Sequence, residues 1–299
     1  MLTPTASQSH LLALCNTMLK RGNLPSTVRI LDMGCGDAHM LAYLARTLPP
    51  LYKDRNFEFY GFEVGDIGWQ SDNYLERTIE FLHEQAPGYS WKDRIGFFSA
   101  SDSWPYQSGS FDVIISNQVF EHVQQHALVF GEIRRCLTPG GVSIHLFPLH
   151  ETIYEVHAHM PFVHWIRQSG WRQKLMLAFA RLGLTRKYKE EMHFRGWRNL
   201  KEFAATYSAV LGSMTNYKSS EQITALAEKA GLTAEFSYTK NFFSTKLLSM
   251  FKRNPGCYAL PSWVDAATFP ILKRLASITL ILRQREVGQR RNPVQSVSS

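Results

Sequence analysis

Asp32-Met33-Gly34-Cys35-Gly36-Asp37 sets two glycines between two carboxylates, directly after the apolar run Val28-Arg29-Ile30-Leu31. Paired glycines let backbone approach a ligand closely. In an open parallel sheet, the turn after the first strand is where ligands sit. The charges decide which ligand. A dinucleotide brings a pyrophosphate to the helix N-terminus, where free N–H groups and the helix dipole favour an anion. Here Asp32 and Asp37 flank the glycines, and His39 stands where a third fingerprint glycine would be. Two carboxylates repel a pyrophosphate and suit a ligand with a cationic amino group. A NAD-type site is excluded.

A second group of reactive side chains lies in His157-Ala158-His159-Met160-Pro161-Phe162-Val163-His164-Trp165. Histidines two apart can bind metal, but no Cys, Asp or Glu constellation completes a set in the sequence, so no metal is expected. The cysteines, Cys15, Cys35, Cys136 and Cys257, form no CxxC pair. That spacing suits a reducing compartment and gives no zinc site.

The elements that must position these residues alternate in type up to about residue 150. Short apolar runs at 28–33, 57–62, 95–98, 111–116 and 142–147 predict five strands. Amphipathic stretches at 38–48, 72–85 and 125–137 predict the intervening helices, ended by Pro49-Pro50, Pro87-Gly88 and Thr138-Pro139-Gly140-Gly141. Strand–helix alternation of this kind signals βα units on a parallel sheet. It breaks over 149–217, where helices are expected at 171–182 and 200–207, and resumes with a helix at 221–230 and strands at 233–238 and 276–282. The expected division is an N-terminal helical extension (1–27), a ligand-binding core (28–148), a helical lid (149–217), the rest of the sheet (218–285) and a disordered polar tail (286–299).

Ile30-Leu31-Asp32-Met33-Gly34-Cys35-Gly36-Asp37 resembles the first cofactor motif of class I S-adenosylmethionine-dependent methyltransferases. Phe62-Glu63, Ser101-Asp102, Phe111-Asp112-Val113-Ile114-Ile115-Ser116-Asn117 and Leu137-Thr138-Pro139-Gly140-Gly141 follow in the family's order. The resemblance implies an α/β, Rossmann-like seven-stranded sheet in the order 3-2-1-4-5-7-6, with strand seven antiparallel and a helical insertion after strand five. It also implies S-adenosyl-L-methionine held by Asp32, Gly34, Cys35, Gly36, Glu63, Ser101, Asp102 and Asn117. Glu63 is expected on the ribose hydroxyls and Asp102 on the adenine amino group. Trp104 is expected to be a core or loop aromatic rather than a stacking partner.

Glu121-His122 resembles the Glu-His pair of the family's small-molecule enzymes, making His122 the first candidate base and His150, just past the fifth strand, the second. Asn117-Gln118-Val119-Phe120 lacks the prolines of the Asn-Pro-Pro-Tyr-like element found in amide and base-amine methylating relatives, and no Pro-Cys nucleophile stands at this strand end. The expected reaction is methyl transfer to oxygen of a small or lipid-linked, acidic acceptor.

Composition sets the bounds. Hydrophobic residues at 44% and charged residues at 19% describe a globular chain, and the net charge of +8 permits acidic partners. Nine Lys or Arg against two Glu fall within 164–198, but no nucleic-acid recognition module accompanies them. Leu11 to Cys15 reads as an amphipathic helix rather than a lipoprotein signal, and no uncharged run reaches the roughly 18–20 residues of a membrane span. A cytoplasmic location is expected. Two rival readings are a non-catalytic cofactor- or partner-binding descendant and a peripheral-membrane protein using the apolar, basic stretch 269–285.

Overall fold

The computed structural model describes residues 4–22, 25–65, 73–184, 199–251 and 255–285. The predicted tail at 286–299, the basic run at 185–198 and residue 72 of the expected second helix lie outside them.

Seven strands form one sheet: β1 (Thr27–Met33), β2 (Asn56–Val64), β3 (Ile95–Phe98), β4 (Phe111–Asn117), β5 (Leu137–Phe147), β6 (Leu232–Glu235) and β7 (Ile278–Gln284). Their order is β3-β2-β1-β4-β5-β7-β6. β7 runs antiparallel to both neighbours, and the remaining pairs are parallel. The expected topology is the one observed.

Alternation along the central strands builds a core on each face. Val28 and Ile30 of β1 and Val113 and Ile115 of β4 enter one cluster, under α1 (Ala6–Arg21), α2 (His39–Thr47) and α3 (Tyr74–Gln85). Leu31, Met33, Phe111 and Ile114 enter the other, under α4 (His126–Cys136) and α7 (Ser220–Lys229). Trp104 is buried in this second cluster, where its ring meets Phe62. The N-terminal stretch 6–21 is a helix opened by a Thr5–Gln8 capping box. Its His10 is wholly buried, bonded to the Tyr258 hydroxyl and to Thr279 of β7.

After β5 the chain forms a two-stranded ladder pairing Tyr154–Glu155 with Met160–Pro161, then α5 (Ser169–Arg181) and α6 (Leu200–Ser213). These pieces own a third core of Ala158, Met160, Val163, Met176, Phe203, Tyr207 and Leu211.

Three local expectations need correction. The turn expected at 138–141 does not precede the strand but lies inside it: β5 begins at Leu137 opposite Phe111, and 138–141 bulge out before Val142 pairs with Val113, with Gly140 at φ +82°. The strand expected at 233–238 ends at Glu235, since Tyr238 turns inward to start α8 (Thr239–Ser249). The apolar stretch 269–285 is not one surface element: it begins in α9 (Trp263–Leu275) and ends in β7, whose Ile278, Leu280, Ile281 and Leu282 are core. Among the described residues no helix is long and apolar enough to cross a membrane.

Candidate functional site

β1 ends at Met33 and the chain turns sharply, with Gly34 at φ +68° and Gly36 at φ +50°. L-residues avoid both conformations. The turn is pinned where the Cys35 N–H donates to the Phe62 carbonyl (2.9 Å) and the Ala38 N–H to the Cys35 carbonyl (2.9 Å). The two glycines serve different ends. A Cβ at Gly34 would stand 2.7 Å from a Val119 methyl, so Gly34 lets the segment after β4 close on the turn. Around the Cβ position of Gly36 no atom of the described residues lies within 4 Å. That space is open.

Register sets three acceptors beside it. Asp32 on β1 is level with Gly61 on β2 and Ile115 on β4. Glu63 and Asn117 each stand two residues further along those neighbouring strands. Asp32 is 1% exposed, and its Oδ2 has no hydrogen-bond partner among the described residues. Burial, reinforced by the charge of Glu63, drives its carboxyl well above the usual range. The buried Oδ1 of Asn117 is likewise without a donor. Glu63 reaches back to the glycines, its Oε2 accepting from the Gly36 N–H (2.7 Å) and its Oε1 from the Val64 N–H (2.8 Å). Burial raises its pKa as well. Each of its oxygens keeps a lone pair for another donor.

Ser101 and Asp102 lie exposed in the turn after β3. The Asp102 N–H donates to the Ser99 carbonyl (3.1 Å), and the Ser101 and Ser99 hydroxyls are 3.0 Å apart. Asp102 Oδ2 takes only a long contact from the Ser99 N–H (3.4 Å).

Past β4, Gln118 adopts φ +58° and a short 3₁₀ turn, Phe120–His122, follows. This turn brings Glu121 and His122 under the insertion. The His122 Nδ1–H donates to the Met214 carbonyl (2.7 Å), which leaves Nε2 as the ring's acceptor. Burial lowers the His122 pKa. Facing it at 3.2 Å is Nε2 of His157. His157 is held through Nδ1 by Glu155 Oε1 (2.6 Å), which also accepts from the Tyr217 hydroxyl (2.8 Å). Burial opposes ionisation of Glu155, but hydrogen bonds from His157, Ala158 and Tyr217 outweigh it and hold the carboxyl at about 2. Glu121 completes the group. It is 1% exposed, neither carboxylate oxygen has a partner among the described residues, and burial pushes it up to about 8.

The histidines two apart do not act together. His159 sits at φ +53°, its carbonyl taken by the Tyr154 hydroxyl (2.8 Å), while His157 turns to His122, 35 residues back. His150 is exposed and lines a different hollow of about 390 Å³ with Glu151, Ile153, Phe162, Trp165 and Arg274. Its carbonyl accepts from the Trp165 indole (2.7 Å). The family resemblance singled out His122, and the histidine spacing His157, separately. Nothing in the sequence signalled that Glu121, His122, Glu155 and Tyr217 would converge with His157.

The chain is 26% identical over 181 residues to the demethylmenaquinone methyltransferase of Lactococcus lactis subsp. lactis (strain IL1403). That match covers 56% of this chain and 65% of the relative's length, just under two thirds. Among solved structures it is similar to PKMT2 from Rickettsia typhi in complex with AdoHcy, at TM-score 0.52 and 16% identity, covering 96% of this chain and 55% of that one. A second structure of the same protein gives TM-score 0.50 at 15% identity, covering 95% of this chain and 55% of the other. At this identity the two structures speak for the fold alone. The family described as a methyltransferase domain matches residues 7–235, so the chain belongs to the class I S-adenosylmethionine-dependent methyltransferases.

Proposed function

We propose that the chain moves the methyl group of S-adenosylmethionine to an oxygen atom of a small or lipid-linked acceptor bound between the strand ends and the insertion. One observation carries the cofactor part. A buried carboxylate, Asp32, whose Oδ2 has no donor among the described residues, stands at a glycine turn that opens on space at Gly36. A buried acceptor of that kind is costly unless a ligand supplies the missing donor or charge. The ammonium of the cofactor's methionine end supplies both, with Asn117 as a second acceptor. Glu63, with a lone pair left on each oxygen, takes the ribose hydroxyls. Asp102 and Ser101, on the turn beyond β3, reach the adenine edge, and Gly34 and Cys35 shape the path between.

In the transfer the acceptor oxygen forms a bond to the methyl carbon as the sulfur–carbon bond breaks. The electron pair of that bond stays on sulfur, so the positive charge is lost. Alignment in a dry site therefore contributes as much as proton removal. A hydroxyl acceptor must also shed its proton, and in this reading His122, three residues past the Val119 beside Gly34, helps remove it. His150 has the weaker claim, because its hollow is lined by other residues.

The lipid-linked option has its own support. α8 and the segment after it expose Leu247, Met250 and Phe251, and Trp263 at the start of α9 is 81% exposed. Apolar side chains left in water on neighbouring helices are what a membrane-surface acceptor would require. The Lactococcus relative is named for demethylmenaquinone, so a quinone-type compound heads the acceptors to try. Labelled-methyl transfer over quinols, isoprenoid phenols and phosphorylated sugars tests the reading. A product carrying an O–CH₃ resonance in its NMR spectrum is expected. Methyl appearing on carbon or nitrogen instead would overturn the oxygen assignment.

A further inference from the structure

The contact between His122 and His157 is chemically incomplete. Each ring spends its Nδ1 proton on an acceptor, the Met214 carbonyl for His122 and the Glu155 carboxylate for His157. Two neutral imidazoles so fixed turn Nε2 lone pairs toward each other, here 3.2 Å apart. Lone pairs that close must share either a proton, with His157 as the imidazolium beside Glu155, or a metal ion. Two nitrogens bound 2.0–2.1 Å from a tetrahedral zinc ion are about 3.3–3.4 Å apart, which is close to the observed spacing.

The third group is independent of that contact. Glu121 is buried, and neither of its oxygens has a partner among the described residues. One ligand atom each from Glu121, His122 and His157 lies within 4.8 Å of the other two. The surroundings match what metal-binding histidines need, since Glu155 and a backbone carbonyl orient the two rings, and Tyr217 in turn fixes Glu155.

We propose that Glu121, His122 and His157 form a binding site for a divalent first-row transition metal of the zinc type. Two histidines and one carboxylate favour zinc, cobalt or iron(II) over magnesium and calcium, which prefer all-oxygen shells. Three protein ligands leave a position open, as in catalytic rather than structural sites. Resting on the proposed oxygen methylation, that open position takes the acceptor's hydroxyl oxygen. The metal lowers the affinity of that oxygen for its proton, which leaves to solvent, and the bound oxygen then receives the methyl group. His122 thus acts on the acceptor through the metal, and the insertion is tied to the core by one of its ligands.

Cobalt reports on such a site directly. Full-length protein stripped with chelator and titrated with Co²⁺ is expected to bind about one equivalent per chain, with the visible d–d absorption of a four- or five-coordinate ion. Zinc should displace it and magnesium should not. His157→Ala should abolish the band, Glu121→Gln should weaken binding, and Glu155→Gln should weaken it by roughly 10–100-fold. His159→Ala should leave it unchanged. S-adenosylmethionine binding, measured on the same samples, should persist in all four variants and confirms that they are folded. Failure of the wild type to bind stoichiometric cobalt, or wild-type affinity in His157→Ala or Glu121→Gln, would overturn the metal site while leaving the methyltransferase reading intact. Loss of cofactor binding by the wild type would strike that reading instead.

Discussion

Replacing Gly36 with valine is expected to abolish cofactor binding, weakening it at least about 100-fold. Two causes act together. At φ +50° an L-residue costs on the order of 1–2 kcal/mol, and more if β-branched, so the turn itself is strained. The branched side chain also fills the space beyond Gly36, where, its chain neighbours aside, no atom of the described residues lies within 4 Å. Because nothing of the protein is displaced there, the fold should tolerate the change better than the ligand does. Gly34→Ala should behave in the opposite way. Its Cβ would collide with Val119, so the fold itself is expected to suffer. Calorimetric titration alongside thermal unfolding separates the two. A Gly36→Val protein that binds the cofactor like wild type would mean that the ligand does not pass this turn.

The second large effect is on the rate. His122→Ala is expected to lower methyl transfer by roughly 10²–10⁴-fold, the range for loss of a group that handles the acceptor's proton. Cofactor affinity should change little, because that help is realised at the reacting oxygen and not in the cofactor pocket. His150→Ala should cost only a few-fold, as its ring lines a separate hollow. Single-turnover rates under saturating cofactor make the comparison. A His122 variant that transfers methyl at the wild-type rate would remove it from the acceptor site, and a large loss in His150→Ala would promote His150 in its place.

Where the sequence could be read, the reason was periodicity and turn chemistry. Apolar runs of strand length placed all five core strands, and the glycines between Asp32 and Asp37 marked the turn that the structure shows at left-handed φ. Charge alone disfavoured a pyrophosphate there, and the burial of Asp32 is the physical counterpart of that reading. Two kinds of feature stayed hidden. α8 and α9 were not expected, and Pro270 lies inside the second of them, where local rules anticipate a break. The cluster at His122 was hidden because its parts come from a 3₁₀ turn, a two-stranded ladder and a loop residue, Tyr217, joined by tertiary packing. No spacing rule reaches across 35 residues from His122 to His157, or 62 from Glu155 to Tyr217. Local patterns also gave no hint that Glu121, beside a histidine in sequence, would be buried with neither oxygen bonded among the described residues.

The central claim is that a cationic, adenosine-bearing methyl donor occupies the turn between β1 and α2. Isothermal titration of the wild-type protein with S-adenosylmethionine, S-adenosylhomocysteine and NAD tests it most directly. Saturable binding of the first two, with no detectable heat from NAD, is the predicted result. Binding of NAD in place of both sulfur-containing ligands would contradict the account, because the buried Asp32 and the Glu63 that bonds Gly36 leave no place for a pyrophosphate.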